Sequence, residues 1–317
     1  MKTLNIKGAA CAAACSLLIV PAAAGAHAPT SHTRVARHAL GGGGAVRHRD
    51  SGGGIAAVLA DLHHSAAATA TAHFSAPDAV ASDAAGDVYV ANYAGNYIDR
   101  ISPGLTVSKS FKITSNAPVS LAVDPAGNIY AGSAAGGVEE FSSAGAAEQS
   151  ITANASSPDS LAVDQFDDLY IAGPNGLAID DPSGNSLWSS VYTTGSSIDS
   201  VAIGGATVHA FFNQEQAGGN GSFMLREGRA QWTAGPYASP DMIGSACAAD
   251  GTCWFDSAQA DTLSTQTGSQ GTTIPLSYTP TGVAYDALHG RVFVADPQNN
   301  AVHVYNSKTL ALIKTIS

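Results

Sequence analysis

A frame of about forty residues recurs six times in this 317-residue sequence and constrains its fold more than any other feature. Each copy begins with a short apolar segment, passes through a turn rich in Asp and Gly, and continues into a second apolar segment. The copies begin at Pro77, Pro118, Pro158, Ile198, Pro240 and Pro280. Helical repeats of similar period need amphipathic runs of about ten residues or more, and these copies contain none. The period therefore indicates short β-strands.

Each copy can be divided into four strands. An apolar segment such as Leu121 to Val123 is expected to form an inner strand, and Asp124-Pro125-Ala126-Gly127 a turn that the Asp carboxylate caps. The second strand carries a ring at one place, namely Tyr89, Tyr130, Tyr170, His209, Trp254 and Phe293. Third strands are expected at 98–101, 138–141 and 301–305, and fourth strands at 111–114, 150–152, 191–193 and 313–316. This pattern predicts an all-β fold, a six-bladed β-propeller of four-stranded antiparallel blades over residues 68–317.

The frame PVSLAVDPAGNIYAG, which starts at Pro118, resembles the repeats of exported bacterial six-bladed propellers of the NHL-repeat and YVTN types. The last unit, AVHVYNSKTLALIKTI from Ala301, is especially similar to the YVTN type. The resemblance implies an architecture but no single activity, because this fold carries lactonases, lyases, redox enzymes and binding modules. Thr69 to Ser75 has the alternation of an outer strand, so either this segment or residues 313–317 could close the ring. We expect closure by Thr69 to Ser75, with residues 313–317 added outside or displaced.

The N-terminal part of the chain differs in composition from the repeats. Residues 1–26 predict a secretory signal peptide, with two lysines before the apolar stretch Ala9 to Val20 and small residues at Ala24-Gly25-Ala26. That stretch is too short to span a bilayer, and no later segment approaches about 20 apolar residues, so no membrane span is expected. Residues 27–67, rich in Gly, Ala and His, predict a flexible linker that could form a short helix at 55–64. The protein is therefore predicted to be secreted or periplasmic.

Two cysteines follow the signal peptide, Cys247 and Cys253. The tight-turn dipeptide Asp250-Gly251 lies between them and predicts that they face each other across a hairpin. Exported chains meet oxidising conditions, so a disulfide is expected. A zinc site is the alternative, and it would need ligands beyond one cysteine pair, with no histidine close in the sequence.

The charge of the repeat region restricts its partners. Residues 68–317 carry 8 Lys and Arg against 23 Asp and Glu, a formal charge of −15. A nucleic-acid surface needs clustered cations, and the region has no such cluster, which argues against nucleic acid. A protein, peptide or glycan at the rim loops is the expected partner, cationic partners fit the charge best, and the protein is expected to be a monomer.

Recurrent acidic residues are the candidates for metal binding. They precede Gly-bearing turns, which explains them first as turn caps, yet several carboxylates at the channel mouth would suit Ca²⁺; no other cofactor is expected. The candidates are Asp83, Asp124, Asp164 and Asp286. Among the histidines, His209 is expected to be a packed core side chain, His289 an exposed turn residue and His303 a solvent-facing residue of a third strand.

No catalytic or cofactor-binding residue follows from the sequence. It contains no Gly-x-Ser-x-Gly elbow, Walker loop or HExxH segment. The sequence favours an exported, non-catalytic propeller that acts as a binding module through its rim loops. The alternative is a metal-dependent propeller enzyme of the lyase or lactonase type, with its site in the central channel.

Overall fold

The computed structural model describes residues 73–114, 117–151, 158–174, 176–191, 196–205, 207–214, 221–226, 232–234 and 242–317. The signal peptide, the linker at 27–67 and the short helix expected at 55–64 lie outside these ranges. Every regular element within them is a β-strand. A helix with the length and apolarity needed to cross a membrane is not found among these residues.

Within these ranges, twenty-four strands pair in chain order into six four-stranded antiparallel sheets. Sheet 1 contains β1 (Pro77–Ser82), β2 (Val88–Asn92), β3 (Tyr97–Ile101) and β4 (Val107–Lys112), and sheet 2 contains β5 (Pro118–Val123), β6 (Ile129–Ser133), β7 (Val138–Phe141) and β8 (Ala147–Ile151). Sheet 3 contains β9 (Ser160–Val163), β10 (Leu169–Gly173), β11 (Gly176–Asp180) and β12 (Ser186–Val191), and sheet 4 contains β13 (Ser196–Gly204), β14 (Thr207–Gln214), β15 (Gly221–Arg226) and β16 (Trp232–Ala234). Sheet 5 contains β17 (Met242–Cys247), β18 (Thr252–Ser257), β19 (Thr262–Thr267) and β20 (Gln270–Pro275), and sheet 6 contains β21 (Val283–Asp286), β22 (Arg291–Asp296), β23 (Ala301–Asn306) and β24 (Leu312–Ile316).

The first strands of the sheets surround a common axis. Each contacts the first strand of the next sheet, and β21 of sheet 6 contacts β1 of sheet 1. An apolar cluster lies between each neighbouring pair of sheets, because both faces of every sheet are covered. The sequence prediction of an all-β propeller of four-stranded antiparallel sheets is confirmed.

The second strands hold the large rings predicted from the repeat, and all six are buried. Several fourth strands begin earlier than predicted: β4 begins at Val107 rather than at 111, and β12 at Ser186 rather than at 191. These strands form the outer edges of the sheets, where residues such as Ser108 and Lys109 are exposed. A prediction guided by apolar residues therefore finds only part of an outer strand, since its polar residues add no apolar pattern to the backbone pairing that defines it.

In three sheets, a polar side chain in the turn after the second strand hydrogen-bonds to the segment that begins the next sheet, and we call these contacts latches. Asn96, Asp261 and Asn300 occupy the same place in the turn after the second strand and have positive φ values of 56°, 49° and 49°. Asn and Asp tolerate this left-handed conformation better than other side-chain-bearing residues. Asn96 Oδ1 accepts the Ala117 N–H at 2.6 Å, and Asn300 Oδ1 accepts the Ala76 N–H at 2.8 Å.

The ring closes differently from the sequence expectation. The outer strand of sheet 6 is the C-terminal β24, so residues 313–316 are not displaced. Of the segment 69–75, residues 69–72 lie outside the described ranges, and residues 73–75 are not in a strand. Phe74 is buried in the cluster between sheets 6 and 1, so its apolar side chain serves packing rather than strand alternation.

Candidate functional site

The central channel is narrow. The first strands of all six sheets, with the residues just before them, line one cavity of about 40 Å³. That volume holds about three waters, whereas pockets for drug-sized ligands are roughly ten times larger. Hydroxyl groups of the lining connect neighbouring sheets: Ser200 and Ser245 share a 2.6 Å hydrogen bond, and Ser160 Oγ accepts the Val201 N–H at 3.1 Å. Asp159 is the one carboxylate of this lining.

The four acidic metal candidates cap the turns between the first and second strands of sheets 1, 2, 3 and 6. Asp83 Oδ1 accepts the N–H groups of Ala85 and Asp87, both at 2.9 Å. Asp164 Oδ1 accepts the N–H groups of Phe166 and Asp168 at 2.9 and 3.0 Å. Such caps fix the turn because backbone donors otherwise left unpaired find an acceptor.

The other two candidates cap their turns with a side-chain partner as well. Asp124 accepts from both the backbone N–H and the side-chain amide of Asn128, and Asp286 accepts the His289 N–H and lies 2.8 Å from its Nδ1. Among the described residues, a single group of three side chains has possible metal-ligand atoms within 4.8 Å of one another. None of the four candidate Asp residues belongs to this group.

These first turns are neighbours around the ring, and we call the surface they form the first-turn rim. A Cβ on Gly86 of sheet 1 would lie 2.7 Å from the His289 ring of sheet 6, and one on Gly205 of sheet 4 would lie 3.3 Å from Ala249 Cα of sheet 5. The rim is acidic because the capping Asp recurs there. It also carries exposed apolar side chains: Phe166 is 61% exposed and Leu288 is 65% exposed.

Carboxylates of two sheets crowd together on this rim. Partial burial, and then the charges of Asp124 and Asp164, raise the pKa of the Asp167 carboxyl above its ordinary value. Phe166, which is 61% exposed, precedes Asp167 in the same turn. We call Asp124, Asp164, Phe166 and Asp167 the acidic rim patch. Asp124 and Asp164 are buried, so Phe166 and Asp167 form its accessible part. An incoming cation would relieve the repulsion and could rest against the ring.

Sequence reasoning missed this patch, although the sequence contains a signal for it. The turn that reads Pro-Ala-Gly-Asn in sheet 2 reads Gln165-Phe166-Asp167-Asp168 in sheet 3. Asp167 has a φ of 66° and takes the left-handed place that Gly127 fills in sheet 2, whereas the exposed Phe166 is not required by the turn. A residue that serves neither turn geometry nor packing indicates a contact surface.

His303 is not solvent-facing, contrary to the sequence expectation. Its side chain is 13% exposed, its Nε2 lies 3.0 Å from Asp296 Oδ2, and its Nδ1 lies 2.9 Å from Thr315 Oγ1. Its ring stacks on that of Tyr278 with centroids 4.1 Å apart. Burial and the hydrogen bond to Tyr305 raise the pKa of the Tyr278 hydroxyl, so this hydroxyl stays protonated.

The equivalent position in the third strand of another sheet explains why the His303 side chain is buried and hydrogen-bonded. In sheet 2 it is occupied by Glu139, whose carboxylate accepts from the N–H and the hydroxyl of Thr114, at 2.9 and 2.6 Å, in the segment that arrives from sheet 1. Tyr278 lies in the corresponding segment that arrives at sheet 6. A polar side chain at this position therefore anchors the connection between two sheets.

The remaining histidines agree with their predictions, and the disulfide is present. His289 is exposed, and His209 is buried at 3% exposure. Cys247 of β17 and Cys253 of β18 are bonded and directly paired across the predicted hairpin, whose Gly251 has a φ of 81°. His209, from sheet 4, lies against this pair, so a histidine distant in sequence is close in space.

Comparisons with known proteins agree on the fold. No family model and no curated protein sequence matches this chain. Solved structures similar to it include hydrazine synthase of Kuenenia stuttgartiensis, with a TM-score of 0.57, 12% identity and coverage of 76% of this chain and 98% of that one. A streptogramin B lyase has a TM-score of 0.56 at 14% identity, covering 78% of this chain and 85% of that one. Virginiamycin B lyase from Staphylococcus aureus has a TM-score of 0.55 at 14% identity, covering 75% and 83%. Identities this low speak for the fold alone.

Proposed function

We propose that this protein is an exported, non-catalytic six-bladed propeller of the NHL-repeat or YVTN type that binds a cationic protein or peptide. The acidic rim patch is its binding surface. The observation that carries the proposal is the exposed Phe166, 61% exposed and next in sequence to Asp167, in a turn of an acidic surface. The pKa of the Asp167 carboxyl is raised, first by burial and then by the charges of Asp124 and Asp164.

The charge of the repeat region supports this assignment. The repeat region has a formal charge of −15, so it attracts cationic partners from a distance and repels acidic ones. A Lys or Arg side chain at the patch would pair with Asp167 and place its stem or guanidinium on the Phe166 ring. Neutral glycans offer no cation for this repulsion, so a basic protein or peptide fits better.

The channel supports a binding role over the enzymatic alternative. A metal-dependent enzyme of the lyase or lactonase type needs room for substrate beside its metal, and the cavity of about 40 Å³ holds only a few waters. The turn-capping Asp residues use their oxygens on donors of their own sheets. In Asp83 and Asp164, Oδ1 accepts two backbone N–H groups and Oδ2 accepts a tyrosine hydroxyl.

The test is fluorescence anisotropy with a labelled peptide of alternating Arg and Gly, titrated with the protein at low and high salt. We expect binding that weakens with salt, because the surface charges are screened. Phe166→Ala and Asp167→Asn should each weaken binding about threefold to fivefold, the loss of one exposed cation–π contact or surface ion pair.

Asp181→Asn is the matched control, since Asp181 is a turn residue of the same sheet and the substitution removes the same charge. Equal weakening by Asp181→Asn, or no peptide binding at low salt, would overturn the proposal. A metal analysis with and without chelator, extended by a Ca²⁺ titration, covers the alternative. A tightly held stoichiometric metal would favour the enzyme, and Ca²⁺ that displaces the peptide would make the patch a calcium site.

A further inference from the structure

Three side chains able to bind a thiophilic metal ion meet where sheet 4 packs against sheet 5. One ligand atom each of His209, Cys247 and Cys253 lies within 4.8 Å of the other two. His209 is in β14, and the cysteines are in the paired strands β17 and β18. His209 and Cys253 are buried, with 3% and 0% exposure, whereas Cys247 is partly exposed.

The spacing is close to what a tetrahedral site needs. Zinc binds sulfur at about 2.3 Å and imidazole nitrogen at about 2.0 Å, which places two ligand atoms roughly 3.5 to 3.8 Å apart. The imidazole nitrogen already lies within 4.8 Å of both sulfurs. The sulfurs are bonded to each other and must separate to about 3.8 Å after reduction, which the Cys side chains can do by rotating about their Cα–Cβ bonds. While the sulfurs are bonded to each other they are not thiolates, so the oxidised protein does not offer the site.

We propose that reduction of the Cys247–Cys253 disulfide opens a three-ligand site, with His209 as the third ligand, for a thiophilic divalent cation such as Zn²⁺. A dithiol reductant supplies two electrons and two protons, is itself oxidised to a disulfide, and leaves two protein thiols. Each thiol loses its proton when the cation binds, so metal uptake releases up to two protons.

The surroundings favour such a site. Ala202, Met242 and Phe255 pack around Cys253 and exclude water from one side. An apolar shell of this kind strengthens the attraction between thiolates and a cation. Because Cys247 is partly exposed, water or an external ligand can reach the site from its side and supply the fourth ligand. This inference is independent of the acidic rim patch, which lies on other residues.

The test uses Co²⁺ as a spectroscopic probe. The full-length mature protein is reduced with dithiothreitol, freed of reductant without oxygen, and titrated with Co²⁺. We expect one equivalent to bind with a thiolate-to-cobalt charge-transfer band in the near ultraviolet, and Zn²⁺ to remove the band. The oxidised protein should show no band. His209→Asn should weaken binding at least about tenfold, because even an outer-shell partner of a metal ligand contributes that much.

His289→Asn is the matched control, since it changes an exposed histidine of sheet 6 and should leave the titration unchanged. A thermal transition recorded for every sample shows whether it is folded. Absence of the band from folded reduced protein, or unfolding of the wild type on reduction, would overturn the proposal. A band of full strength in His209→Asn would also overturn it. Should that variant not fold, the comparison of oxidised and reduced wild type decides alone.

Discussion

The interface between sheets 6 and 1 and the interface between sheets 4 and 5 are stabilised by different means. The first joins the two ends of the propeller through twelve buried apolar residues, including Phe74, Phe293 and Ile316. At the second, the side chains that the structure describes include Ala202, Met242 and Phe255 together with the disulfide and the buried His209. Hydrophobic stabilisation follows the apolar area buried and acts at both interfaces. The second interface adds a covalent bond and a titratable ring to its apolar residues.

The largest test of this comparison is one substitution made at both interfaces. Phe293→Ala, in the closing cluster, and Phe255→Ala, between sheets 4 and 5, should each lower the free energy of unfolding by about 3 to 5 kcal/mol. Both rings are buried, at 1% and 4% exposure, so each substitution loses the burial of a ring and leaves a cavity. Urea denaturation measures both values. A loss below about 1 kcal/mol for Phe255→Ala would show that apolar packing contributes little between sheets 4 and 5.

The free energy of unfolding should depend on pH through a group at the interface between sheets 4 and 5. Burial lowers the pKa of His209 from 6.5 to about 4. The unfolded chain then takes up the proton more readily, so this contribution to stability is complete above about pH 6.5 and is lost as the pH falls toward 4. Between pH 7.5 and 5 the loss should be about 2 kcal/mol.

The measurement is urea denaturation of the oxidised protein at several pH values. In His209→Asn the part of the pH dependence due to this group should disappear, whereas His289→Asn should keep it. The idea fails if wild type and His209→Asn have parallel profiles over this interval.

The disulfide should contribute about 2 kcal/mol to the free energy of unfolding. It closes a short loop, so it restricts the unfolded chain less than a long-range bridge would. The double variant Cys247→Ser, Cys253→Ser should lose that amount, as judged by its denaturation midpoint. Reductant should destabilise the wild type by a similar amount and leave the double variant unchanged. A variant as stable as the wild type would remove the disulfide from the comparison.

The smallest effect concerns the latches, which have the same geometry between sheets 1 and 2 and between sheets 6 and 1. Asn96→Gly and Asn300→Gly keep the positive φ without strain and remove one hydrogen bond each, so each should lower the free energy of unfolding by about 1 kcal/mol. Hydrogen exchange should separate them: Asn300→Gly should speed exchange in β24 and β1, and Asn96→Gly should not affect β24. Faster exchange in β24 for both variants would mean that the closure is not a local joint.

The sequence predicts the features that repeat and misses those that depend on neighbouring sheets. The capping role of Asp83 and Asp164 and the hairpin around Gly251 follow from a few adjacent residues, and the structure has both. His303 was wrongly expected in solvent because the ring that covers it, Tyr278, comes from the segment joining two sheets.

The candidate sites show the same division. Crowding at Asp167 arises between turns of two sheets, and His209 meets a disulfide about forty residues later in the chain. Strand periodicity gives no register between sheets, so neither contact could be predicted from the sequence. The exposed Phe166 in a turn without glycine was the one local signal, and it indicated a surface but no ligand.

The latch at Asn300 repeats, between residues 224 positions apart, the contact that Asn96 makes with a residue 21 positions away. The peptide bonds of the chain thus matter less to these joints than the turn geometry does. If the two ends were linked and new termini were cut between sheets 1 and 2, the side-chain amide of Asn96 would hold the new opening as that of Asn300 holds the present one. We therefore expect a circular permutant with these termini to fold into the same propeller.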